Sequence, residues 1–347
     1  LLNNLDMNRL LAIGMFLVLA AGSALAQQKP QYTQYTLNNY LLNPAITGIE
    51  DYADVKLGTR HQWSGLEGAP ESYYMTVHMP VNKDMTASYR GASRSGAVPK
   101  EATAKKTNMY RRVRAHHGLG GMAMTTRTGP LKRSTLSMSY AYHQPITRNL
   151  RAAAGVAPGI IQYSLDPSYV KTAKQNDPAI MDGRINEVKF DLNLGLWLYS
   201  QNFYMGVSGA QLVPSKRQLI STSGSAEDNK GELQKHYFLT GGYRIDMSPT
   251  FTLIPSVMVK MAQPSPVAVD ATVKAMYSDR LWVAASYRHK ESVAAMAGLN
   301  ISHLFDLAYS YDAGTSPLGR VNAGSHEVVL GFKLRNTKKI ICPEWAW

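Results

Sequence analysis

The stretch VKFDLNLGLWLY, Val188 to Tyr199, decides the fold. Its apolar members Val188, Phe190, Leu192, Leu194, Leu196 and Leu198 alternate with Lys189, Asp191, Asn193, Gly195, Trp197 and Tyr199. A strand turns successive side chains to opposite faces, so this beat of two predicts one greasy face and one wetter face. The beat returns in Leu281, Val283, Ala285, Tyr287 against Trp282, Ala284, Ser286, Arg288, and in Phe305, Leu307, Tyr309, Tyr311 against Asp306, Ala308, Ser310, Asp312. It closes with Val328, Leu330, Phe332, Leu334 against Glu327, Val329, Gly331, Lys333, Arg335. A soluble β-sandwich alternates too. Many strands of similar length, twenty tyrosines and an export signal favour a transmembrane antiparallel β-barrel.

About fourteen strands are predicted: 52–61, 71–80, 115–126, 134–144, 151–163, 188–199, 203–212, 236–246, 250–260, 267–277, 281–289, 292–300, 303–312 and 326–335. An even number puts both termini on one side of the membrane. Alternate counting places the short links Ser200 to Asn202, Asp246 to Pro249, Tyr277 to Arg280 and Asn300 to Ser302 at the periplasmic end. The longer links 164–187, 213–235 and 313–325 then fall outside. Residues 81–114 disobey, being long, basic and on the periplasmic side of the count. They read as a solvated insertion, as a docking arm for a periplasmic partner or inner-leaflet headgroups, or as the mark of a miscounted strand.

Met7 to Ala26 reads as a secretory signal peptide, with Arg9, an apolar run from Leu10 to Ala21, and Ala24-Leu25-Ala26 before Gln27. Leu1 to Asp6 reads as upstream sequence. No later stretch has the roughly twenty continuous apolar residues of a spanning helix, so an exported chain that enters a membrane must close into a barrel. Mean hydropathy of −0.23 does not oppose this, because alternation averages the lipid face away. The net charge of +13 points to anionic headgroups or an acidic partner, since no basic helix or zinc spacing supports nucleic-acid binding. A single cysteine, Cys342, excludes an intramolecular disulfide.

No catalytic, cofactor or metal site is expected. His61, His78, His143, His236, His289, His303 and His326 are scattered singly along strands, without a Gly-x-Ser-x-Gly elbow or a clustered Asp pair. His116 and His117 are adjacent, and neighbours on a strand face opposite ways. Gly118, Gly120, Gly121 and Gly241-Gly242 lack the Lys-Ser/Thr of a phosphate loop and read as sites of barrel curvature or close packing.

The segment QYTQYTLNNYLLNPAITGIED, Gln31 to Asp51, resembles the opening of the PorP/SprF family of type IX secretion proteins. So does Arg60-His61-Gln62-Trp63 with Gly65, Gly68, Ala69-Pro70 and Ser72, as do Tyr309-Ser310-Tyr311-Asp312 and GSHEVVLGF, Gly324 to Phe332. The similarity spans Gln28 to Leu334, with residues 81–114 departing from the family pattern. It implies an outer-membrane protein of the Bacteroidota, non-enzymatic, that supports secretion or surface attachment of cargo such as large gliding adhesins.

The expected organisation is 1–26 removed, 27–50 an N-terminal periplasmic or lumen-closing segment, 51–335 the barrel and 336–347 a periplasmic tail. Asn43-Pro44 and Gly48 read either as a turn that starts the barrel or as part of a segment closing the lumen. Expected partners are outer-membrane lipid, type IX components and secreted cargo. Candidate contact residues are Trp63, Pro70 and Gly324 in loops of the outer face, Tyr32, Tyr35, Asn43, Pro44 and Gly48 in the segment toward the periplasmic one, and Arg60, His326 and Glu327. The rival reading is a passive or substrate-selective pore lined by Lys189, Asp191, Arg288 and Asp306.

Overall fold

The computed structural model describes residues 33–83, 114–147, 149–165, 185–213, 216–217, 231–232, 234–262, 265–315, 319 and 321–337. The signal segment, Tyr32, most of the 81–114 stretch and the tail carrying Cys342 lie outside the described residues. Fourteen barrel strands follow in chain order: β1 (Ala53–His61), β2 (Glu71–Val81), β3 (His116–Thr128), β4 (Leu131–Pro145), β5 (Arg151–Leu165), β6 (Ile185–Tyr199), β7 (Phe203–Ala210), β8 (His236–Tyr243), β9 (Phe251–Ala262), β10 (Ser265–Tyr277), β11 (Leu281–Arg288), β12 (Ser292–Asn300), β13 (Phe305–Gly314) and β14 (Ser325–Leu334), with a separate two-stranded ribbon, Lys216–Arg217 against Gly231–Glu232, between β7 and β8. Ile245–Asp246 continues β8 against Leu253 and Thr252 of β9.

Each strand pairs antiparallel with its sequence neighbours. β1 also pairs with β14, from Ala53 opposite Leu334 to His61 opposite His326, and this closes the sheet. Closure is what hydrocarbon demands, because an unpaired N–H or C=O there costs several kcal/mol and an open edge carries a row of them. No helix among the described residues is long and apolar enough to cross a membrane.

The wall is inside out relative to a soluble protein. On β6, Phe190 is 76% exposed and Leu196 63%, whereas Asp191 and Trp197 are buried. On β13 the outward residues are Phe305, Leu307, Tyr309 and Tyr311, with Asp306, Ala308, Ser310 and Asp312 turned in. Outward aromatics gather at the two ends. Tyr142, Tyr243, Tyr277 and Phe305 stand near one rim, and Tyr73, Tyr237, Tyr287 and Tyr311 near the other. Such girdles flank an apolar band at the two faces of a bilayer.

The rim carrying both ends of the barrel sheet has the short links at 200–202, 247–250, 278–280 and 301–304, and is here termed the turn end. The opposite rim, the loop end, carries the links 166–184 and 315–324, but it also has tight turns. β3 runs on to Thr128 and β4 begins at Leu131, so the predicted link 127–133 shrinks to Gly129-Pro130. Gly129 adopts φ +55 there, which a residue without Cβ takes without strain. The last strand stops at Leu334, and Arg335, read as its wet-face end, turns away at φ +57.

An arginine on the apolar band tests the outward face. Leu194→Arg, at mid-wall on β6, should lower stability by about 2–4 kcal/mol in denaturant unfolding from lipid vesicles, the cost of a cation at bilayer depth. Unchanged stability would mean that this face does not meet hydrocarbon.

Candidate functional site

The lumen is occupied by the chain's own N-terminal residues. Three short 3₁₀ turns, Thr33–Thr36, Asn39–Leu41 and Pro44–Ile46, are buried inside the barrel. At the loop end the Thr33 N–H donates to Glu327 Oε2 at 2.9 Å, and Gln34 Nε2 donates to the Glu327 carbonyl at 2.9 Å. Further in, Tyr35 meets Thr272 at 3.2 Å, Asn38 Nδ2 donates to Thr76 at 3.0 Å and Tyr40 meets Ser139 at 2.7 Å, all through side chains. At the turn end Lys83 Nζ donates to the Ile49 carbonyl at 2.6 Å. Residues 33 to 49 therefore run the length of the lumen, from the loop end to the turn end.

Local chemistry explains why this piece coils rather than joining the sheet. Pro44 fixes φ at the first position of its turn, and Asn43 Oδ1 accepts from the Ala45 N–H at 2.9 Å. The Asn43 amide then donates to the carbonyls of Leu196 and Val207 at 3.0 and 3.2 Å, fastening the turn to β6 and β7. The wall is cut away to receive it. A Cβ on Gly118 would lie 1.9 Å from Thr47 O, one on Gly155 2.4 Å from Ala45 N, and one on Gly195 1.9 Å from Asn43 Oδ1. Tyr40, Leu41, Ala45, Ile46 and Ile49 fill the space against Tyr74, Met122, Trp197, Tyr204 and Trp282 of the wall. The apolar core is thus the contact between segment and lumen.

Charges turned inward are matched by one another. Arg60 lies 2.6 Å from Asp312 and 3.1 Å from Glu327, and it donates to Thr33 Oγ1 at 2.8 Å. Thr33 also donates to Asp312, and Tyr74 donates its hydroxyl hydrogen to Glu327 Oε1 at 3.2 Å. Arg288 meets Asp270 at 3.1 Å, Lys333 meets Asp306 at 3.6 Å, and Lys56 pairs with Asp54. At the turn end His116 and His143 stack at 4.4 Å. Their Nε2 atoms face the carbonyls of Gly48 and Thr47 at 3.1 and 2.8 Å, so both rings carry hydrogen there and hold the segment's exit.

The candidate residues separate into three levels. Trp63 is 39% exposed at the loop end and holds φ +49, an uncommon backbone for a bulky residue. Its loop is tied to the 315–324 link, since Ser64 N donates to Gly324 O and Ala323 N to Ser64 O, each at 2.8 Å. Pro70 closes the same loop by accepting from Gln62 N at 2.9 Å, and His326 faces outward beside Tyr309 at 2.7 Å. Arg60 and Glu327 lie beneath, buried in the cluster that anchors Thr33. Tyr35, Asn43, Pro44 and Gly48 are buried along the lumen, so they are not presented at a periplasmic surface; Tyr32 lies outside the described residues.

Lys189, Asp191, Arg288 and Asp306 do face inward, as the pore reading expected, and Lys189 pairs with Glu187 as Arg288 and Asp306 do with their partners. The sequence reading placed Gly118 at a site of curvature or close packing, and close packing is what it has, but it did not single out Asp312, Gly155, Gly195 or the inward histidines His78, His116 and His143 as site residues. Their signal was a place on the wet face of a strand, which says nothing about what stands opposite.

Removing Arg60 leaves two buried carboxylates without their cation. Arg60→Ala should cost about 3–5 kcal/mol in unfolding, the usual penalty for breaking a buried pair. A cost under 1 kcal/mol would show that water reaches the cluster.

A model of the family described as type IX secretion system membrane protein PorP/SprF matches residues 24–332. No curated protein matches the chain in sequence. Among solved structures, the toluene transporter TbuX of Ralstonia pickettii aligns with a TM-score of 0.46 at 10% identity, over 85% of this chain and 92% of that one. A FadL homologue of Pseudomonas aeruginosa gives 0.46 at 11%, over 89% and 95%. Omp33 of Acinetobacter baumannii gives 0.44 at 8%, over 83% and 100%.

Proposed function

The chain belongs to the PorP/SprF family of type IX secretion system membrane proteins, and from that premise we propose that it is a closed adaptor that captures secreted cargo on its outer rim. It is an outer-membrane β-barrel. The finer reading is that it supports surface attachment of particular cargo, adhesins among them, and has no catalytic role. Short turns in a single-chain outer-membrane barrel face the periplasm, so the turn end is assigned inward and the loop end to the cell surface.

One observation carries this choice over the pore. Residues 33–49 occupy the lumen from rim to rim, fixed by buried hydrogen bonds to Glu327 at one end and to His116 and His143 at the other, and by an apolar core between. A conduit would need that path empty. What remains for function is the outer rim, where two bridged loops display Trp63 and Val321, both exposed. Rigidly held exposed aromatics are the residues that anchor partners, because they bury much area at little entropy cost. The inward charges act to hold the segment, so Arg60 and Glu327 support the rim rather than touch cargo.

The full barrel should be silent in a planar bilayer, and deletion of residues 33–46 should give steady conductance. Conductance by the intact chain would favour the pore. In cells, Trp63→Ala with Val321→Ser should weaken cargo capture about tenfold, the loss of a hot-spot anchor, with barrel levels unchanged. Loss of the gene should abolish display of some type IX cargo and leave outer-membrane permeability as it was. Normal display of every type IX substrate would sink the adaptor reading.

A further inference from the structure

We propose that the outward face of β3 to β6 at the loop end binds the phosphorylated sugar headgroup of an outer-leaflet glycolipid. This rests on the loop end facing the cell surface. The four strands are 13, 15, 15 and 15 residues long, against 8 to 10 for β11 to β14, so their loop ends reach beyond the length the apolar band needs.

The composition of the outward face changes along each of them. On β4 it passes from Met138 and Leu136 to Ser134 and Lys132, and on β5 from Ile160 to Gln162 and Ser164. On β3 it passes from Ala123 to Thr125 and Arg127, and on β6 from Phe190 and Val188 to Asn186. The point of change marks where hydrocarbon gives way to headgroups. Above it, the register aligns Arg127 with Lys132, Lys132 with Ser164, and Ser164 with Asn186. Beside that row, Ser134 aligns with Gln162. These six side chains line a concavity of about 390 Å³.

The charge arrangement points to the ligand. Arg127 and Lys132 stand directly opposite each other on neighbouring strands of one face, a pairing of like charges that is unfavourable by itself. Glu71, the cross-strand neighbour of Arg127 on β2, supplies one negative charge, and its carboxylate also lies 3.7 Å from His61. Among the described residues on this face, two cations stand against one carboxylate, so the described lining is basic. A phosphate set between Arg127 and Lys132 relieves their repulsion through charge-assisted hydrogen bonds, and Ser134, Gln162, Ser164 and Asn186 supply the neutral donors and acceptors that sugar hydroxyls require. A phosphorylated saccharide anchored in the adjoining leaflet meets both demands at the height where this face stands.

The test is retention of bisphosphorylated lipid A by the full-length barrel, read by native mass spectrometry from detergent, with dephosphorylated lipid A and inorganic phosphate as comparison probes. The wild type should retain the bisphosphorylated lipid, and Arg127→Gln with Lys132→Gln should retain it about tenfold less, as expected for the loss of charge-assisted contacts. Heat-modifiable migration of the variant should stay that of a folded barrel. Equal retention by variant and wild type, equal retention of the dephosphorylated lipid, or displacement by millimolar phosphate would overturn the proposal, the last by making this a soluble-anion site. Labelling of Lys132→Cys, in a Cys342→Ser background, by an impermeant maleimide on intact cells is expected. Labelling only after permeabilisation would overturn the assigned sidedness instead, independently of the in vitro binding.

Discussion

A backbone amide in hydrocarbon has no water to turn to, and the remaining features of this molecule follow from that. Every strand must find two neighbours, so the chain meanders until β14 returns to β1. Once the wall is closed, one face of each strand meets lipid and the other meets whatever the lumen contains. The lumen then poses its own problem. Arg60, Lys56, Lys333, Arg288 and their carboxylates are turned inward, where each charge needs a partner or water.

The N-terminal segment settles that problem and sets the functional character of the barrel. Its backbone supplies donors and acceptors to inward side chains, while Tyr40, Leu41, Ile46 and Ile49 give the lumen an apolar centre. The wall answers with glycines at 118, 155 and 195, where a methyl group would collide with the segment. Wall and segment are complementary at the level of single atoms, which makes the segment a structural part of the barrel. A solid barrel offers a partner its rims and its outer face. The bridged loops around Trp63 and the polar loop-end face of β3 to β6 are two such surfaces, and they are the ones we propose for protein and for headgroups respectively.

Some of the site was legible beforehand and some was not. Trp63, Pro70, Gly324 and His326 could be named because turn residues and exposed aromatics at strand ends stand out in one dimension. Arg60 and Glu327 could be named from their motifs, but not as a buried pair, since 267 positions separate them and only the β1 to β14 register makes them neighbours. Asn43-Pro44 showed that the chain must turn. Whether that turn stood beneath the barrel or within it depended on the cradle of β3, β5 and β6, of whose glycines only Gly118 stood out in the sequence, as a site of curvature or close packing.

The amino-acid order by itself determined that this polypeptide forms strands with one apolar and one polar face, about how many there are and that they must close, because a period of two and the absence of a helical span leave a membrane protein no other solution. Only the tertiary structure decided that the cylinder is filled, by which residues and from which rim. That outcome depends on contacts across hundreds of positions, where a missing Cβ on one strand makes room for a turn far away in the chain.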